Sequence, residues 1–180
     1  MALPDYFKRG MGTPVIWGQA SGSGVTNTLS FNNLADGVAR MGAYADLGEL
    51  FSREYAVILT VETGTAPTAG LTADLYFACS PTTSLWPAGI TGSDGDWPAD
   101  GNEDEWIQQL GRPPFMQFVS TDDANTAQIQ FSQRPLVPTG RYVVPVFHNQ
   151  LGQAVRNQGT PADNASRIYL YPLVDSIQDT

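Results

Sequence analysis

Three observations predict an all-β fold, an antiparallel β-sandwich of jelly-roll type with about eight strands: short runs rich in β-branched and aromatic residues, turn residues between them, and almost no helical periodicity. The 180 residues include 18 Gly and 13 Pro, spread so that no apolar run is long enough to span a bilayer. That length supports one sizeable core, so a single domain is expected.

Residues 1–24 have no steady period, yet they place Tyr6, Phe7, Met11, Val15, Ile16 and Trp17 among five glycines. Free tails rarely carry so much apolar surface. The segment is therefore expected to be an extended arm, docked on its own domain or on a neighbouring subunit, with Tyr6, Phe7, Val15, Ile16 and Trp17 as anchors. Gly22-Ser-Gly24 reads as a flexible joint, because no strand precedes it and no helix follows it as a phosphate loop requires. The domain proper then spans 25–180.

The first strands are expected at 26–31, ending at Asn32-Asn33, and at 38–47, ending at Gly48. Tyr55–Glu62 is the strongest strand signal; Gly64, Pro67 and Gly70 follow it, and 71–78 is expected to return as its hairpin partner. Residues 80–114 break the rhythm with Pro81, Pro87, Pro98, Pro113 and Pro114, and read as a long loop lobe holding three of the four tryptophans. Strands resume at 115–120, 127–131, 141–148 and 167–171. Pro145 has no N–H to give a ladder, which predicts an edge strand or a bulge there.

The lobe carries the most distinctive chemistry. Six of the 18 acidic residues lie in the twelve positions from Asp94. Asp94, Asp96, Asp100, Asn102 and Asp104 supply oxygens at alternating positions, as a calcium loop needs. The EF-hand pattern fails, however: counted from Asp100, Glu105 stands where Gly is required, and Gly111 where the closing carboxylate should be. The same residues also suit a short helix capped by Asp100 or Asn102, with acidic side chains at its positive end and Gly111 as its stop. Trp86, Trp97 and Trp106 could form a sugar-binding platform, or could pin the lobe onto the sandwich by burying their rings. Glycoside hydrolysis needs one carboxyl held protonated by burial, and a Gly- and Pro-rich acidic loop offers solvation instead.

No catalytic residue and no cofactor is assigned. Cys79 is the single cysteine and His148 the single histidine, and nothing ties the two together. His148, at a strand end before Asn149, is expected to make a turn or edge hydrogen bond. A net charge of −9 with nine scattered basic residues opposes nucleic-acid binding. Eight of those nine are Arg, a bias suited to planar hydrogen bonding at buried or interface positions. The start, Met1-Ala-Leu-Pro, has no basic-then-apolar leader, so synthesis in a reducing cytoplasm is expected.

Three stretches carry a family resemblance. They are Arg40-Met-Gly-Ala-Tyr-Ala-Asp-Leu-Gly48 leading into Tyr55-Ala-Val-Ile-Leu-Thr-Val-Glu-Thr-Gly64; Thr72-Ala-Asp-Leu-Tyr-Phe-Ala-Cys-Ser80 with Trp86-Pro87; and Leu136 to Gly152 ending near Arg167-Ile-Tyr-Leu-Tyr-Pro172. Their style resembles head decoration (cement) proteins of tailed bacteriophages. The resemblance implies a virion structural protein made in the bacterial cytoplasm. It would sit on the capsid surface in many copies, as a homotrimer, with the major capsid protein and its own copies as partners. No functional residue is carried over. A tail or baseplate sandwich protein, or a carbohydrate-binding host-recognition module, are the competing expectations.

Overall fold

The structure, a computed structural model, describes residues 6–20, 24–87, 89–97, 113–124, 126–156 and 166–178. These residues form twelve strands: β1 (Tyr6–Met11), β2 (Val15–Gly18), β3 (Asn27–Thr28), β4 (Ala39–Met41), β5 (Ala45–Asp46), β6 (Tyr55–Val61), β7 (Thr72–Ser80), β8 (Gly95–Trp97), β9 (Met116–Val119), β10 (Gln128–Phe131), β11 (Tyr142–Gln150) and β12 (Arg167–Gln178). No helix occurs among the described residues, and the short helix expected within 100–111 lies outside them.

The strands make two six-stranded sheets, consistent with a β-sandwich. Sheet 1 runs β10-β6-β12-β2-β3 with β1 added on β12, and sheet 2 runs β8-β4-β11-β7-β9 with β5 added on β11. Every pairing is antiparallel except β2 with β3. All eight expected strands are present. The expected strand 38–47 is divided into β4 and β5, and β1, β2 and β8 are additional.

Between the sheets lies one large core, including Trp17, Phe31, Leu59, Leu75, Phe118, Phe147, Ile168 and Leu170. Fully burying one such side chain contributes about 1.5–3 kcal/mol. Burial explains why the strands read differently in sequence. β6 alternates, with Val57, Leu59 and Val61 facing inward and Ala56 and Ile58 only half-buried. β11 is apolar almost throughout because it is covered on both faces, by the core through Val143 and Phe147 and by a second cluster through Val144 and Val146.

The expected hairpin is corrected. β6 and β7 do not form a hairpin. β6 pairs with β10 and β12, whereas β7 pairs with β11 and β9, so residues 62–71 cross from one sheet to the other. The turn residues there shape an arch between sheets, and both strands can then place inward residues in the same core.

Pro145 lies in a central strand, between β7 and the β4/β5 pair, and not at an edge, but the bulge expected as the alternative is there: Val146 faces Met41 and Val143 faces Ala45, so three residues, 42–44, oppose Val144 and Pro145. Its carbonyl accepts from Gly42 N–H at 2.9 Å, so its missing donor also faces the interruption at 42–44, where no ladder bond is lost. Gly42 is needed at that interruption. A Cβ there would meet Pro145 Cγ at 3.0 Å, Trp17 Cδ1 at 3.1 Å and the Thr28 carbonyl at 3.2 Å.

The segment expected as an arm is part of the sheet. Both β1 and β2 pair with β12, and a one-residue bulge separates them: Met11 faces Leu173 and Val15 faces Leu170, so three arm residues oppose two of β12. Gly12 fits at the bulge because a Cβ would stand 2.9 Å from Pro172 Cγ. Trp17 is fully buried in the chain's own core, so it is not an intermolecular anchor. Its indole N–H donates to the Ala43 carbonyl at 2.7 Å, tying sheet 1 to the break in sheet 2.

Where the two sheets end side by side, β10 closes the gap with side chains. Gln130 accepts from Val119 N–H at 3.0 Å and donates to the Gln117 carbonyl at 2.7 Å. Gln128 repeats the pattern on Thr121 N–H at 2.9 Å and the Asp123 carbonyl at 3.3 Å. The two amides thereby occupy backbone groups along the edge of β9, which lowers its exposure as a template for another strand.

Trp17→Ala should destabilise the chain by about 3–5 kcal/mol, the range for emptying a buried aromatic site. Equilibrium denaturant unfolding measures the loss.

Candidate interaction surfaces

The described part of the lobe, residues 80–87 and 89–97, packs on sheet 2. Ile90 and Trp97 are buried over Ala39, Met41, Tyr76, Ala78, Val144 and Val146, with Trp86 half-buried at the margin. Trp97 is 3% exposed and is unavailable as a ligand platform. Trp86 spends its indole N–H on the Thr83 carbonyl at 2.9 Å and lies 6.4 Å from the exposed Tyr44 ring, which meets Tyr142 edge-on at 5.6 Å. The aromatic group that forms is therefore Tyr44, Trp86 and Tyr142. Trp106 lies outside the described residues.

Of the five residues weighed as a calcium set, Asp94 and Asp96 are both bonded by Arg40. Arg40 Nε donates to Asp94 at 2.9 Å and Nη2 at 3.2 Å, while Nη1 reaches Asp96 at 2.9 Å. Asp94 also accepts from Ser30 N–H at 3.0 Å and Ser30 Oγ at 2.5 Å. Both carboxylate oxygens of Asp94 are thus occupied by donors. Burial alone would raise its pKa, but the bonds from Arg40 and Ser30 outweigh burial and hold it below the ordinary value. Asp100, Asn102 and Asp104 lie outside the described residues, among which no group of three or more His, Cys, Asp or Glu is placed to hold a metal ion.

The other arginines follow the same logic. Arg141 grips Asp46 with two bonds of 2.6 Å, Arg156 pairs with the buried Glu62, and Arg134 lies over the Phe115 ring at 5.3 Å. The arginine bias read as an interface signal is used, at these positions, within the chain.

A buried polar group on sheet 2 was not legible in sequence. Asp74 faces His148 directly across the β7–β11 ladder, accepts from Gln117 Nε2 at 3.0 Å, and lies 3.4 Å from the Tyr76 hydroxyl. Burial and the neighbouring Asp74 push the Tyr76 pKa up to about 12. His148 sits inside β11, not at its end, with Nε2 3.3 Å from the Gly37 carbonyl. Only strand register brings these residues together, and register is invisible in a linear reading.

Of the remaining expected anchors, Val15 packs on the core and Ile16 is half-buried on the outer side of sheet 1. Tyr6 and Phe7 pair through their backbones with Gln178 and Ile177. The β1–β12 pairing continues for six residue pairs past the end of β6, which stops at Tyr55 opposite Pro172. This two-stranded ribbon extends about 20 Å, and among the described residues no third strand flanks it. Met11 and Val174 are exposed at its base.

The chain matches no protein-family model, no curated protein and no solved structure.

Asp94→Asn should destabilise the fold at neutral pH by about 1–3 kcal/mol, the cost of weakening charged hydrogen bonds. The folded pKa of Asp94 is depressed, so its contribution is present above the unfolded value of 3.8 and is lost as pH falls below it. Thermal unfolding of both proteins across pH should show the difference shrinking in that acid range.

Proposed function

We propose that this chain is a structural protein of a bacteriophage virion, a decoration protein with a jelly-roll sandwich that binds the outer head surface in many copies. The major capsid protein and neighbouring copies are its partners, with a trimer as the favoured oligomer. The β1–β12 ribbon carries this reading. An isolated two-stranded ribbon is marginal in water, and beyond Leu173 no third strand pairs with it among the described residues, which suits strand addition to a neighbour. Many weak contacts of that kind, repeated over a symmetric shell, sum to firm attachment. The same sandwich would serve a tail or baseplate protein equally well, and copy number in purified particles separates the two.

A second reading, a carbohydrate-binding module, draws on the Tyr44–Trp86 pair, since Tyr44 is 40% exposed beside a half-buried indole. Trp86→Ala would abolish glycan-array binding in that case and leave shell attachment intact.

The test of the virion reading is a truncation that respects the fold. Removing residues 1–11 deletes β1 but keeps Trp17, whereas removing 1–24 would empty the core. The shorter truncation should retain a cooperative melt and lose binding to undecorated heads in a co-sedimentation assay. Undiminished binding would remove the ribbon from the proposal.

A further inference from the structure

β9 ends early. It stops at Met116 opposite Leu75 of β7, and Phe115 N–H donates to the Leu75 carbonyl at 2.8 Å. Pro114 and Pro113, next along that line, have no N–H with which to continue the ladder. In an antiparallel pair every second residue of a strand points its backbone groups to the same side, so Phe77 turns its N–H and carbonyl the way Leu75 does. Among the described residues no strand pairs with Phe77 there. A hollow of about 390 Å³ opens along this edge, lined also by Phe115, Arg134, Leu136 and Val137. Its walls are held in place: Phe115 meets Phe77 edge-on at 5.5 Å, and Leu136 exchanges backbone bonds of 2.9 and 2.8 Å with Tyr55.

We propose that this hollow binds a small amphipathic carboxylate, an aromatic ring on a short linker, with the ring against Phe77, Phe115 and Val137 and the carboxylate on Arg134. Charge selects the anion. Arg134 is the one charged side chain among the described lining residues, which include no Asp or Glu. Arg40, Arg141 and Arg156 are paired with Asp94, Asp46 and Glu62, whereas Arg134 has no carboxylate partner among the described residues. Its Cζ lies 5.3 Å over the Phe115 ring. A guanidinium held over a ring keeps its in-plane N–H groups for a two-pronged bond to a carboxylate. The net charge of −9 repels anions at long range, but exposed charges more than about 8 Å away are largely screened at physiological salt, so the nearest group decides. Size sets the rest. A cavity of about 150 Å³ holds benzene, so this larger one takes a ring with a short chain. An apolar hollow with one converging charge is the usual form of a small-molecule site. The site goes beyond the virion reading and does not rest on it.

A nuclear magnetic resonance titration of the full chain with 3-phenylpropionate, and with 3-phenylpropionamide as its uncharged counterpart, tests the proposal. The acid should give saturable shifts at the Phe77, Phe115 and Val137 amides, with a dissociation constant on the order of 1 mM for a ligand of this size. The amide should bind the same place more weakly. Arg134→Gln should lower the acid's affinity by about three- to tenfold and remove its advantage over the amide, and Arg134→Lys should restore part of it. Arg134 is exposed, so these variants should keep the wild-type melt, and the comparison of acid with amide on the unaltered chain needs no variant. No saturable shift at those amides, equal affinity for acid and amide, or binding untouched by Arg134→Gln overturns the proposal. Binding that appears only in a Trp106→Ala variant overturns it too, because the chain then fills the hollow itself.

Discussion

Trp17 is the tie on which the two-sheet arrangement depends. It enters the core from β2, and its indole N–H bonds the backbone at Ala43, in the gap between β4 and β5 of the opposite sheet. The gap, the glycine that permits close approach at 42 and the proline at 145 that needs no partner there form one device. A continuous strand through 42–44 would leave the indole without room and Pro145 facing a ladder it cannot complete. A segment that looks like a tail in sequence is thus built into the centre of the fold.

Around that tie the molecule is asymmetric. Sheet 2 is covered by the described part of its lobe, which Arg40 and Ser30 fasten through Asp94 while Ile90 and Trp97 close over apolar positions of β4, β7 and β11. The acidic stretch at Asp94 and Asp96 is an anchor for that cover. On sheet 1 the outer face presents apolar side chains such as Ile129 and Phe131, and among the described residues no third strand pairs with the ribbon beyond it. The edge between the sheets is closed differently again, by the amides of Gln128 and Gln130 acting as short substitutes for a neighbouring strand.

Much of the fold was legible because strands announce themselves locally. The alternation of Tyr55–Val61 and the turn residues around each run follow from period-two burial, which a linear chain displays directly. The division of 38–47, the arch between β6 and β7 and the central place of Pro145 were not legible, because each depends on which strand lies alongside. The same holds for the sites. The apolar content of Val15, Ile16 and Trp17 was visible, but only the sheet shows that Trp17 is core and Ile16 lies on the outer side. The clustering of Asp94 and Asp96 was visible too, while the guanidinium that holds them comes from a residue more than fifty positions away.

The sequence by itself determined that this chain folds as β-strands around one core, because side-chain type and spacing set local conformation and burial period. It also determined the acidic charge and the unusual arginine share. Tertiary structure decided which apolar residues are core and which are surface, and which carboxylates are anchors. Those properties belong to pairs of residues, and pairing is set only when distant segments come into register.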